Sequence, residues 1–412
     1  TANMLQWGAL RAFLPSVRVY PGQTMLAVKM RATNNLNDQS AFRINVWATR
    51  KLPIWSTESG WSAPTATRSI IWALCDVLRS TYGGQLSDSY LPLTDFVALD
   101  AVFTAQERFF DYIFDQKTTV WSAAQTIARI GRAVPMIEGS LINLVRDTER
   151  TVPTMLFNQN NIHEGTFKWR ISLPKDGDYD GVRIYYTDPD DFLENYIDCL
   201  IGDDGTPILA AREGHPDDDV GDNLEEIKLL GCTDRDWAYR EGCYYRASKR
   251  KIRQTISFQT GLEGHLPKFG SLIGVSHDLP RWAQGGSILA VGGDHRTLTL
   301  SEPVTFTTGQ INVIGFRLKD GTSSDPLTCT AGSDEFHVVL AADAPASLLV
   351  SDTTEPPQYL FGTSSTWCKQ CVVSNVTPDG EDSVTIEAYT YEASVFTNDA
   401  AIAPDSPTST PP

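Results

Sequence analysis

The stretch from Ile227 to Val291 constrains the fold more than any other, because its hydrophobic period changes from helical to alternating and stays alternating. Thr233 or Asp234 can open a helix, since their side-chain oxygens accept from the free N–H groups of a first turn. Trp237, Ala238, Cys243 and Tyr244 then recur at helical spacing. Lys249, Arg250 and Lys251 follow, where the negative end of a helix dipole favours cations. Beyond them Ile252, Gln254, Ile256 and Phe258 alternate with Arg253, Thr255, Ser257 and Gln259, which predicts a strand. A Gly-Leu-Glu-Gly turn at 261–264 leads through Pro267 and Gly270 to a short strand, Leu272 to Val275. A corner at 278–282, Asp-Leu-Pro-Arg-Trp, should turn the chain into a third strand, Ser287 to Val291, with Trp282 packed over the corner.

This helix, basic strand and strand-corner-strand resembles the central tail protein of siphophages. That family is known as tip attachment protein J or host specificity protein, and as the baseplate megatron of gene transfer agents. Further pieces match in order: Asn45-Val46 with Thr49 to Pro53, Ala66 to Ser69, Ala73, and Tyr82-Gly83-Gly84. Arg108-Phe109, Phe114-Asp115, Val120-Trp121, Gly131 to Pro135 and Arg146-Asp147 continue the series. The resemblance runs to about Thr390 and rests on several spaced motifs. Where the family usually has Gly-Asp, this chain has Gly270-Ser271, so the turn carries over but an acidic side chain there does not.

The rest of the chain predicts an α+β, mostly β protein of several domains, with an α+β unit set among barrel- or sandwich-like β domains. At 412 residues about three domains are expected. Residues 1–52 read as part of a β domain truncated at its N-terminus, with strands at Arg18 to Tyr20, Thr24 to Ala32 and Arg43 to Ala48. Residues 53–150 read as an α+β unit. It has helices over Thr65 to Tyr82, stopped by Gly83-Gly84, over Leu93 to Ala105, capped by Thr94, and over Thr119 to Ile130, stopped by Gly131. A strand at Phe109 to Phe114 and a hairpin around Glu138-Gly139-Ser140 complete it. Residues 151–255 read as β-rich, with strands at Phe157 to Ile171 and Gly181 to Thr187, a surface loop at Gly202 to Asn223, and the helix at 233–251. Residues 256–391 read as a barrel or sandwich. Its strands are expected at Thr297 to Leu300, Gln310 to Leu318, Glu335 to Leu340, Leu348 to Val350, Trp367 to Asn375 and Ser383 to Tyr391. Residues 392–412, ending in Pro-, Ser- and Thr-rich sequence, read as a linker to a further C-terminal region.

Composition excludes some roles. Lys and Arg total 34 against 51 Asp and Glu, a net charge of −17, which argues against general affinity for nucleic acid. No apolar run reaches the roughly 20 residues of a membrane helix. Seven scattered cysteines suit a reducing compartment such as the host cytoplasm, where synthesis is expected.

Three groups invite a chemical reading, and each has a plainer one. Ser276-His277-Asp278 contains triad residue types, but neighbours in extended chain point to opposite faces and cannot relay a proton. The plainer reading is a strand end, with Asp278 bonded to backbone before Pro280. Cys368 and Cys371 form a lone CxxC, without the second pair that a structural zinc site needs. Asp203, Asp204, Asp217, Asp218, Asp219 and Asp222, like Asp176, Asp178 and Asp180, lack the spacing of a calcium loop and read as solvated acids. No catalytic, cofactor-binding or metal residue is therefore assigned, and no cofactor is expected.

The family resemblance implies a structural virion protein, not an enzyme. It would be a central hub at the tail tip of a non-contractile tailed phage or gene transfer agent, closing the distal tube and forming a DNA conduit. It implies a homotrimer, with the distal tail protein, other baseplate proteins, the tape measure protein and a tail fibre as partners. A host receptor would be met through regions outside this chain. The alternative is a tail-borne cell-wall or capsule polysaccharide hydrolase, or a glycan-binding module.

Overall fold

The computed structural model describes residues 46, 48–173, 179, 181–190, 192–200, 223–280, 282–351 and 353–404. The expected strands before Ala48, the acidic segment at 174–178 with Asp180, nearly all of the 202–223 loop and the last linker residues lie outside the described residues. The chain divides between Ala48 and Thr49, and all the described strands and helices belong to the second unit.

That unit opens with two small antiparallel pairs: β1 (Lys51–Leu52) with β4 (Thr65–Ala66), and β2 (Trp55–Ser56) with β3 (Gly60–Trp61). Because Thr65 and Ala66 are spent on β4, the first helix starts later than its apolar pattern suggests. α1 runs Ile70–Arg79, capped by Ser69, whose oxygen accepts from the Trp72 N–H. Asp100 in turn accepts from Ser69 and, at 2.9 Å, from Trp72 Nε1. This ties α1 to α2 (Leu93–Ala105). Thr94 does not cap α2. The cap position is Pro92, which has no side-chain acceptor, and its carbonyl takes the Phe96 N–H at 3.0 Å. α3 (Val120–Ile130) is capped by Thr119, whose hydroxyl accepts from the Ser122 N–H, and its Ala123, Ala124 and Ala128 are buried with Ile127.

Phe109 to Phe114 is not a strand. Phe110 N–H donates to Arg68 and Asp111 N–H to Gly231, two different neighbours, so no ladder forms. Phe110, Tyr112 and Phe114 pack on one another instead. The hairpin is present as β5 (Ala133–Glu138) and β6 (Leu141–Arg146).

The expected strand Phe157 to Ile171 is broken into β7 (Met155–Phe157) and β8 (Lys168–Ile171). Asn161 Oδ1 accepts from Asn158 N–H at 2.7 Å, and Asn158 Oδ1 from Asn160 N–H at 2.9 Å. Such local bonds compete with a ladder and turn the chain. β9 (Gly181–Thr187) has the predicted bounds. It lies between β10 (Glu194–Leu200), antiparallel, and β11 (Leu224–Lys228), parallel. α4 (Arg235–Lys251), capped by Asp234 onto Trp237 N–H, packs on β9 and β10.

β12 (Gln254–Thr260) buries Ile256 and Phe258 as its alternation requires. β13 (Leu272–Val275) follows. Then come the six strands of a closed barrel: β14 (Gln284–Val291), β15 (Thr297–Leu300), β16 (Asn312–Phe316), β17 (Leu327–Ala331), β18 (His337–Leu340) and β19 (Gln358–Thr363), in the order β14-β15-β18-β17-β16-β19. β20 (Lys369–Asp379) and β21 (Ser383–Thr390) return to a six-stranded sheet of order β7-β13-β20-β21-β12-β8. The barrel is thus inserted between two neighbouring strands of that sheet. The boundary expected between 255 and 256 falls within β12, and the sheet draws strands from both sides of it. Leu348 to Val350 is not a strand. β10, β11, β17 and β19 are strands that the sequence pattern does not announce. The fold is α+β and mostly β, with helices gathered in one region and a closed barrel in another, as the sequence implied.

Candidate functional site

Ser276, His277 and Asp278 sit at the end of β13 without forming a relay. Ser276 is buried, and its N–H donates to Phe157 O at 2.9 Å. The His277 ring stacks on Phe167 with centroids 4.0 Å apart, and its Nδ1 accepts from the Leu279 N–H at 3.1 Å. A triad histidine must donate from Nδ1 to its carboxylate; here that nitrogen is an acceptor. The turn's N–H therefore goes to His277, not to Asp278 as expected. Burial holds the imidazole pKa below its ordinary value, with Asp278 pulling the other way. Trp282 closes the corner by a backbone pair with His277, and its ring meets Phe167 and Trp169 edge-on.

Cys368 and Cys371 belong to different apolar clusters. Cys368 packs with Leu156, Val313, Leu360 and Trp367, and Cys371 with Met155, Ile273 and Val373. Burial pushes both thiols up to about 12, so neither is a thiolate at neutral pH. Among the described residues no three His, Cys, Asp or Glu side chains converge as a metal site would require. Asp203, Asp204, Asp217, Asp218, Asp219, Asp222, Asp176, Asp178 and Asp180 lie outside the described residues.

A pocket of about 460 Å³ is lined by Trp61, Trp72, Asp76, Arg79 and Asp88. Its carboxylates are already engaged. Asp88 accepts from Trp61 Nε1 at 2.7 Å and from Arg79 Nε at 2.6 Å. Asp76 accepts from Ser80 at 2.9 Å and pairs with Arg50 at 3.0 Å, and Tyr82 donates to it as well. Arg79 lies over the Trp61 ring at 3.6 Å. The pocket's two acids are held by neighbouring donors rather than poised as an acid–base pair.

The principal polar constellation was not anticipated. Glu241, fully buried on α4, accepts from Arg132 Nε, and Arg132 also donates to Asp399 at 2.6 Å. The Arg132 guanidinium lies over the Tyr244 ring at 4.2 Å, and Arg108 over Trp237 at 3.6 Å. Tyr244 donates to Asp147. Burial works against the Arg132 charge, but Glu241 and Asp399 more than offset it and raise its pKa. For Arg108 the same carboxylates compensate too little: burial first, then Arg132 and Arg146, pull it down to about 9. A second network joins Arg68 to Asp111 by two bonds of 2.9 and 2.6 Å, and Asp111 to Thr233 at 2.7 Å. Arg68, Arg108, Arg132 and Asp147 come from motifs that the sequence scatters, and the fold gathers them around α4. The sequence signal was Glu241 itself, a carboxylate at helical spacing from Trp237 and Tyr244.

No family model matches the chain. In sequence it is similar to the tip attachment protein J of Escherichia phage SECphi27, 24% identical over 167 residues. That match covers 40% of this chain and only 13% of the phage protein. Among solved structures it is similar to a chain of the virion of the native gene transfer agent particle, with a TM-score of 0.37, 11% identity, and coverage of 74% of this chain and 47% of that one. It is also similar to the tail protein from Neisseria meningitidis MC58, with a TM-score of 0.31, 10% identity, and coverage of 74% and 67%. At these TM-scores neither structural likeness carries an argument. Over the 167 matched residues the chain is similar in sequence to a phage tail protein, as its ordered motifs implied.

Proposed function

We propose that the chain is a structural component of a virion tail, and specifically a central hub at the tail tip. The observation that supports this reading is the sequence similarity to a tip attachment protein, which agrees with the spaced motifs from Asn45 to Thr390. In this reading three copies close the distal tube, DNA passes through the ring, and other tail proteins and a fibre attach around it. The fold suits such a role. β8 is an exposed edge strand of the six-stranded sheet, whose other edge, β7, is buried within the chain, and β10 and β11 are the edges of the three-stranded one. Exposed edges need cover from a neighbour, and closed cyclic symmetry supplies it without making fibres. Among the described residues no helix is long and apolar enough to cross a membrane. Imaging of assembled particles tests the proposal: three copies at the tip are expected, and any other copy number, or a location away from the tail, would overturn it.

The engaged carboxylates of the Trp61 and Trp72 pocket favour the non-enzymatic role over a polysaccharide hydrolase. Zymography on peptidoglycan and capsule should show no clearing. Clearing lost in Asp76→Asn or Asp88→Asn would reverse that conclusion.

A further inference from the structure

Positive charge is scarce in this chain, which carries 34 Lys and Arg against 51 Asp and Glu, yet arginines are concentrated in one cleft. The cleft, of about 240 Å³, lies between α3, the β5–β6 hairpin, α4 and the Phe269-Gly270 turn. Arg129, Arg132, Arg146 and Arg150 line it, with Asp147 as an acidic neighbour.

The arginines differ in what neutralises them. Arg132 is spent on Glu241 and Asp399. Arg129 makes one long bond, Nε to the Tyr245 hydroxyl at 3.4 Å. Arg146 donates to the neutral Gln106 at 2.6 Å and lies over the Phe103 ring at 5.3 Å, and its Nε is buried without a hydrogen-bond partner. Arg150 donates to two carbonyls, Gly270 O and, at 2.7 Å, Arg146 O. Among the described residues no carboxylate pairs with Arg129, Arg146 or Arg150. The one acid in the cleft, Asp147, accepts from Tyr244. Behind the cleft, Arg108 adds a buried guanidinium with two unpartnered nitrogens.

Gathered guanidiniums repel one another, and a partly buried one without an anion is costly. Burial and the nearby Arg132 disfavour the charge of Arg146, and Asp399 and Glu241 offset this only in part. An anion entering the cleft would relieve that repulsion and take the donors left over. Guanidinium forks match the geometry of carboxylate and phosphate oxygens.

We propose that this cleft is an oxyanion site, in which Arg129, Arg146 and Arg150 bind a carboxylate or phosphate group that enters from outside. Two sources share that chemistry: a free small anion, or an acidic side chain offered by a neighbouring protein subunit. The proposal stands apart from the tail-hub reading, because it rests on the arrangement of charge alone.

Calorimetric titration of the whole 412-residue chain at low salt tests it, with inorganic phosphate, citrate and a hexaglutamate peptide as probes. Saturable binding of at least one probe is expected, weakening as NaCl is raised, since the site is open to solvent and screened. Arg129 is exposed, so Arg129→Gln should fold normally and weaken binding about tenfold, the usual effect of losing one charge-assisted bond. Arg146→Lys, which keeps the charge but loses the fork, should weaken it less. Arg50→Gln, at an ion pair elsewhere, should leave it unchanged. Binding of phosphate and citrate but not of the peptide assigns the site to a free anion; preference for the peptide assigns it to a subunit side chain. Absence of saturable heat with all three probes, or equal affinity in wild type and Arg129→Gln, overturns the proposal.

Discussion

The barrel and the helical region solve the burial problem in opposite ways. The barrel interior is apolar: Ile288, Leu298, Leu300, Ile314, Phe316, Val338 and Phe361 meet there, and the buried hydroxyl of Tyr359 donates to Glu302 O at 3.0 Å. The region around α4 buries a charged cluster among its apolar side chains, Arg132 with Glu241 and Arg108 beside them. Apolar contacts are non-directional and tolerate small changes of shape. A buried ion pair tolerates the loss of neither partner. The barrel is therefore a robust module, whereas the α4 region depends on specific partners brought from distant parts of the chain.

The largest test of this contrast removes one partner. Glu241→Gln removes the one fully buried carboxylate beside Arg132 and Arg108 and leaves Arg132 only the partly exposed Asp399. It should cost about 3–5 kcal/mol, the range for breaking a buried pair, measured by urea unfolding. Replacing both partners, Arg132→Met with Glu241→Leu, should recover much of that loss, because two buried charges leave together. A double variant as damaged as the single would show that the pair is not the source of the effect.

The contrast also explains how much the sequence reveals. β15 is legible to its last residue because Leu298 and Leu300 alternate with threonines and one face is buried. β19 is not, because Tyr359, Leu360 and Phe361 are all buried, on both faces, and alternation vanishes. β10 escapes although Ile197 and Cys199 do alternate, since charged and polar neighbours mask the pattern. The α4 cluster cannot be read from local pattern at all. Arg132 lies 109 positions from Glu241 and 267 from Asp399, and such pairing exists only once the chain is folded. The corner is legible in outline, but which side chain takes the Leu279 N–H is not.

Close packing against α4 gives a second, smaller test. Gly242 sits mid-helix, where alanine would ordinarily be better by about 0.5–1 kcal/mol. A Cβ there would fall 2.2 Å from Cys199 Sγ and 2.9 Å from Ile184 Cγ1. Gly242→Ala should therefore destabilise, by about 1–3 kcal/mol as overpacked cores do, reversing the helix-propensity expectation. In the barrel, Ile314→Val removes one methylene from a fully buried site and should cost only about 0.5–1.5 kcal/mol. If Ile314→Val proves the more damaging of the two, the claim that the barrel is the tolerant module fails.

The smallest effect is expected at the His277 corner, which belongs to neither region and is tuned by pH. The Nδ1 of His277 accepts from Leu279 N–H, and the ring is stacked on Phe167, so the folded state favours the neutral imidazole. Its folded pKa is accordingly below the ordinary 6.5. As pH falls through about 6.5, the unfolded chain takes up the proton first, and the difference favours unfolding. This stability is complete above that pH and is lost as pH falls toward the lower, folded pKa. The ring is partly exposed, so the effect is modest. Melting temperatures at pH 7 and pH 5 should differ less in His277→Gln than in wild type, because glutamine can still accept from the turn but cannot be protonated. An equal or larger difference in the variant would mean that the imidazole does not set the acid sensitivity of the corner.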